Sequence, residues 1–199
     1  MISLVYNEYT IEIFSDELHS LKSTDNIHNY NFKYGDFTYI NDDNFIYTPK
    51  YGVIIKDNMG YEKSAILFPG SGTGGSPHKK SALIDNNNLI ILVGDWIFSL
   101  SIPELKLNWK TKCGDCITCF ELFRISDGYI IHGECSILRV QKDGRIAWEF
   151  SVRDIFTTAE GIDIFKIIDD IIIVKGWQNY TYIIDLNGVI ISDEKRNQE

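Results

Sequence analysis

Short apolar runs alternate with polar clusters along this chain, and the alternation repeats. Ile90-Ile91-Leu92-Val93-Gly94, Ile130-Ile131-His132-Gly133 and Ile172-Ile173-Val174-Lys175-Gly176 are copies of one element, with their glycines 39 and 43 residues apart. Fifteen residues beyond each glycine stand Trp109, Trp148 and Ile191. Polar marks precede the apolar runs: Asn41-Asp42-Asp43-Asn44, Asp85-Asn86-Asn87-Asn88, Ser126-Asp127-Gly128 and Asp169-Asp170. Asn, Asp and Gly tolerate turn geometry, so each reads as the turn between the first and second strands of a unit. A second set, Asp57-Asn58-Met59-Gly60, Pro103-Glu104, Lys142-Asp143-Gly144 and Leu186-Asn187-Gly188, reads as the hairpin from third to fourth strand. No stretch carries helical periodicity.

A period of about 40 residues with four short strands per unit is how propeller blades look in sequence. The units fall at 36–68, 81–112, 116–151 and 162–193. In the second to fourth units the second strand is apolar at nearly every position, the pattern of a strand buried on both faces. Trp109 and Trp148 fall late in their units, where a flat ring can wedge between neighbouring blades. Residues 1–35 are either a fifth, degenerate blade or a hairpin that closes the ring. The expected fold is therefore all-β: one small propeller-like domain over residues 1–199, with four to five four-stranded antiparallel blades.

Leu138-Arg139-Val140-Gln141-Lys142-Asp143-Gly144-Arg145-Ile146-Ala147-Trp148 resembles the repeat of PQQ-like and WD-type β-propellers, in which a tryptophan follows a turn glycine by four residues. Leu105 to Trp109 keeps that spacing without the glycine, and Asn187-Gly188 keeps the glycine with Ser192 in place of the tryptophan. Asn108 to Lys112 and Ile130 to Glu134 are similar to stretches of small bacterial propeller-like proteins. The resemblance implies the fold and not the quinone. The quinone-dependent dehydrogenases of that group are far longer and carry an adjacent cysteine pair that this chain lacks.

Composition narrows the partners. The chain has 199 residues, is 44 % hydrophobic, and carries a formal charge of −9. An acidic balance argues against phosphate-backbone binding, which needs clustered Lys and Arg, and favours a basic protein partner. No apolar run approaches the roughly 18 residues of a membrane helix. The first residues make a poor signal peptide, so the expected location is cytoplasmic. Cys113, Cys116, Cys119 and Cys135 do not form a disulfide framework by default in such a compartment. Cys119 falls within a strand, which works against a shared zinc site, and no metal or cofactor is expected.

Candidate chemistry gathers on the loops that join second and third strands, because loops on a rigid scaffold usually carry binding. Those tips hold Asp95, Trp96, Glu134, Trp177, Gln178 and Asn179, the expected binding residues. Gly70 to Lys80 is rich in glycine, but neither a Gly-Lys-Ser/Thr end nor a following helix makes it a phosphate loop, and it reads as a flexible linker. His132 reads as a core histidine. No catalytic residue is assigned. The expectation is a non-catalytic protein-binding module, in one version a bacterial immunity protein that neutralises a toxin domain. The alternative is a carbohydrate- or nucleotide-active hydrolase working through Asp95 and Glu134.

Overall fold

The computed structural model describes residues 1–35, 37, 49–70, 75–114, 118–151, 155–157, 164–177 and 180–195. Its element order holds strands alone, and no helix among the described residues is long and apolar enough to cross a membrane. By packing, the chain divides into two compact units. One is Met1–Cys113 with Ile117–Leu122, the other Gly114–Cys116 with Phe123–Glu199.

The first unit contains two sheets. One is built from β1 (Ile2–Tyr6), β2 (Tyr9–Ser15), β3 (Phe32–Gly35), β4 (Tyr51–Lys56) and β5 (Glu62–Phe68), in the order β1-β2-β4-β5-β3. Its pairs are antiparallel except β3, which runs parallel to β5. The amino-terminal hairpin thus supplies two of the five strands, beside β4 and β5 of residues 51–68. Apolar alternation marks Ile11 and Ile13 as inward-facing without naming their partners. Here they pair with Ile55 and Val53, and all four are fully buried. The turn residues Asn41 to Asn44 lie outside the described residues.

The second sheet is the meander β6 (Ala82–Asp85), β7 (Asn88–Val93), β8 (Trp96–Ser101) and β9 (Leu107–Lys112). Leu89, Ile91, Val93, Phe98 and Leu100 share one core cluster with Ile11, Ile13, Val53, Ile55 and Leu67 of the first sheet. Full burial of each such side chain is worth about 1.5–3 kcal/mol, so this layer is what holds the unit together.

Two further four-stranded meanders follow: β10 (Cys119–Ile125), β11 (Gly128–Gly133), β12 (Ser136–Gln141) and β13 (Ile146–Ser151), then β14 (Phe165–Ile168), β15 (Ile171–Gly176), β16 (Tyr180–Asp185) and β17 (Ile190–Lys195). In the second unit, Ile130 and Ile137 pack against Phe165, Ile172, Val174, Tyr182 and Ile184. β11 is buried at every position and β7 at all but its first, as their sequences suggest. β15 departs from that expectation. Ile172, Val174 and Gly176 are buried, whereas Ile171, Ile173 and Lys175 are only half-buried. A continuous apolar run permits two-sided burial, but a sheet must lie on each side to produce it.

Among the described residues, turns of both sets show the geometry their residues favour. Asp169 and Asp170 both adopt positive φ, 48° and 63°, the mirror-type two-residue turn that suits the twist of a hairpin. Gly188, at φ 84°, closes the β16–β17 turn, where Asp185 Oδ1 accepts the amides of Asn187 and Val189, both at 2.8 Å. Asp57 does the same for Met59 and Tyr61 between β4 and β5. The β8–β9 connection differs: it has no glycine, and it contains a cis Ile102–Pro103 bond.

Trp148 bears out the wedge expected of it. Its Nε1 donates to Leu186 O at 2.9 Å, and Arg139 donates to the same oxygen at 2.6 Å. A Cβ on Gly188 would stand 2.9 Å from the indole ring, so the left-handed glycine also leaves room for the tryptophan. β13 of one sheet is thereby tied to the last turn of the next.

Candidate functional site

The β7–β8 tip of the first unit is a closed structure. Gly94 turns the chain at φ 58°, and its carbonyl accepts the Cys119 amide at 2.8 Å. The Asp95 carbonyl accepts the Cys113 amide at 2.8 Å. Asp95 is only 1 % exposed, and its Oδ1 accepts the Gly70 amide at 3.0 Å. A glycine amide of the kind that might have cradled phosphate therefore serves an internal carboxylate. A Cβ on Gly70 would lie 2.8 Å from Trp96 Nε1 and 3.1 Å from Asp95 Oδ2, so only glycine fits there without displacement. The beginning of the glycine-rich stretch is thus packed rather than a free linker, and further along Gly75 O accepts the Tyr51 hydroxyl at 2.5 Å.

Trp96 belongs to this packing. It lies against the first unit's core, 6.3 Å from Phe98 between ring centroids. The Lys110 ammonium sits 4.7 Å over its ring and donates to Gly35 O. Its Nε1 is shielded from solvent with no acceptor among the described residues. Such an arrangement uses the indole as a structural plate, and little of it is offered to a partner.

The corresponding tips of the second unit are bound to the connector between β13 and β14. The Phe156 amide donates to Glu134 O at 2.8 Å, and the Trp177 amide donates to Ile155 O at 3.0 Å. Two consecutive residues of the connector between β13 and β14 thus join the β11–β12 tip to the start of the β15–β16 tip. Phe156 turns inward, 3 % exposed, with His132 5.7 Å away. His132 stacks in turn on Phe165 at 4.7 Å and 15°, the core role its neighbours suggest. Ile155 and Trp177 turn outward, 41 % and 47 % exposed. Glu134 is half-buried beside them.

The expected residues therefore separate. Asp95 and Trp96 form one internal cluster in the first unit. Glu134 and Trp177 are linked through Ile155 and Phe156 in the second. Gln178 and Asn179 lie outside the described residues, as does Cys116. Cys113, Cys119 and Cys135 are not in disulfides, and no group of three or more His, Cys, Asp or Glu among the described residues is placed to hold an ion. Ile155 was not foreseen. Its sequence signal is the apolar pair Ile155-Phe156 within a connector of mixed polarity.

Consecutive antiparallel meanders of this kind define an all-β repeat protein of the propeller type. No family model matches the chain, and no curated protein does. Among solved structures it is similar to the Neurospora crassa Pan2 WD40 domain, at 18 % identity over 58 % of this chain and 37 % of that one, with a TM-score of 0.41. It is also similar to BamB from Moraxella catarrhalis, at 14 % identity over 72 % and 42 %, TM-score 0.45. A third likeness is to the computationally designed Ika8 protein, at 12 % identity over 74 % and 47 %, TM-score 0.49. The chain spans less than half the length of each, and the likeness concerns the fold alone.

Proposed function

We propose that this chain is a non-catalytic protein-binding module whose contact surface is the pair of hairpin tips in the second unit. One observation supports this above the others. The Trp177 amide donates to Ile155 O, and both residues are exposed. An exposed indole close to an exposed aliphatic residue offers a large apolar area, the make-up of an interface hot spot. Glu134 at the rim and the net charge of −9 favour a basic partner. The most specific version is a bacterial cytoplasmic immunity protein that blocks a basic toxin domain. The hydrolase reading would need Asp95 as a working carboxylate, and Asp95 is buried and engaged with the Gly70 amide.

The test is capture from lysate on immobilised wild-type chain and on Trp177→Ala, eluted with a salt gradient. A basic protein retained by the wild type and lost from the variant supports the proposal. Equal retention on both, or no retained protein, counts against it.

A further inference from the structure

We propose that residues 16–31 form a strap over the outer face of the first sheet, and that protonation of His19 releases it. Phe14, Gly52 and Ile66 are paired directly across β2, β4 and β5 and so share that face, with Phe68 two residues further along β5. The strap covers them. His28 lies 5.0 Å from the Phe14 ring. A Cβ on Gly52 would fall 2.4 Å from the Tyr30 hydroxyl, which shows how closely that tyrosine lies on the sheet. Asn31 Oδ1 accepts the Ser64 amide at 2.8 Å. The Asp16 amide donates to Lys50 O, and the Lys50 ammonium donates to the carbonyls of Glu17 and His19.

His19 is the weak point of this closure. It is 3 % exposed, between Tyr30 at 5.1 Å and Phe68 at 6.3 Å. Both ring nitrogens are buried without a hydrogen-bond partner among the described residues. The nearest carboxylate oxygen, Asp16 Oδ2, is 3.9 Å from Nδ1 and already accepts the Tyr30 hydroxyl at 2.6 Å. Protonation would put a full charge and a second unmatched N–H into this site, whereas an open strap hydrates both.

The charged groups around the ring point the same way. Burial is the main cause that holds the imidazole below its ordinary 6.5. Asp16 opposes it, and Lys33 on β3, Lys50 before β4 and His28 in the strap reinforce it. The closed strap therefore binds fewer protons than the open one. Closure is at full strength above pH 6.5 and is lost as pH falls toward the closed-state value, with the open population rising by up to tenfold per pH unit in that window. Opening uncovers Phe14 and Gly52 and leaves the Phe68 ring against Phe37.

Hydrogen exchange of the full chain between pH 7.5 and 5, expressed as protection factors, tests this. In the wild type, protection within residues 16–31 should fall as pH drops below 6.5, by up to tenfold per pH unit, while β7 keeps its protection. In His19→Phe that slope should vanish. A flat strap profile in the wild type, an unchanged slope in the variant, or loss of protection in strap and β7 together would overturn the proposal. Should the variant fail to fold, NMR titration of the wild-type His19 ring decides: a midpoint below 6.5 supports release, and one at or above 6.5 refutes it.

Discussion

Replacing Gly70 by alanine tests whether the glycine-rich segment is a linker or part of the core. The new methyl carbon would stand 2.8 Å from Trp96 Nε1 and 3.1 Å from Asp95 Oδ2. Ordinary contacts lie at 3.4 Å or more, so indole, carboxylate or main chain must shift by about half an ångström. The indole is confined by the core, by Phe98 and by the Lys110 ammonium. Overpacking of this kind costs about 1–3 kcal/mol. If the loop moves instead, the 3.0 Å bond from the Gly70 amide to Asp95 is strained or lost. A hydrogen bond to a charged group is worth about 1.5–3 kcal/mol. Whichever way the strain is relieved, the expected loss is about 1–3 kcal/mol, a fall of about 0.5–1.5 M in the urea midpoint followed by tryptophan fluorescence. Gly75→Ala is the matched control, because a Cβ there meets nothing within 4 Å. It should be neutral or stabilising by about 0.4–1 kcal/mol through the unfolded chain. A Gly70→Ala variant as stable as Gly75→Ala would refute the packed-loop account and restore a free linker.

Trp177→Ala should leave the urea midpoint within about 0.5 kcal/mol of wild type, as for other surface changes, while abolishing capture of the partner. Trp148→Phe keeps most of the ring but leaves Leu186 O without its indole donor, so denaturation should show a loss of about 1 kcal/mol, with the Arg139 bond remaining. Asp185 is held below its ordinary 3.8, first by the Val189 amide and also by those of Asn187 and Gly188. Its support of the last hairpin is therefore present above pH 3.8 and lost as pH falls below it. Carboxyl NMR should place its midpoint under 3.8, and a value at or above that would contradict the turn geometry.

Trp148 and Gly188 show what the sequence could and could not reveal. The spacing of glycine and tryptophan marks the hairpin, yet the glycine beneath Trp148 is Gly188 of the following sheet and not Gly144 of its own. Asp57 and Asp185 each precede a left-handed glycine by three residues, a turn signal that was legible but lay beneath the more obvious Asn-Gly and Asp-Gly pairs. Trp96 and Trp177 both fall at hairpin tips, two residues and one residue beyond their repeat glycines, Gly94 and Gly176. One is fixed between a lysine and the core, and the other is exposed, because the connector beside each differs.

The chain's own order of residues determined which segments are strands, where they turn and how often the unit repeats. These follow from local sterics and from the two-residue period of a pleated strand, both written in neighbouring residues. Only tertiary structure decided that the amino-terminal hairpin joins residues 51–68, that β15 is covered on one face, that Asp95 is internal, and that His19 is closed in without a hydrogen-bond partner among the described residues. Each of these depends on which distant surface arrives to exclude water, and no local pattern of apolar and polar residues names that surface.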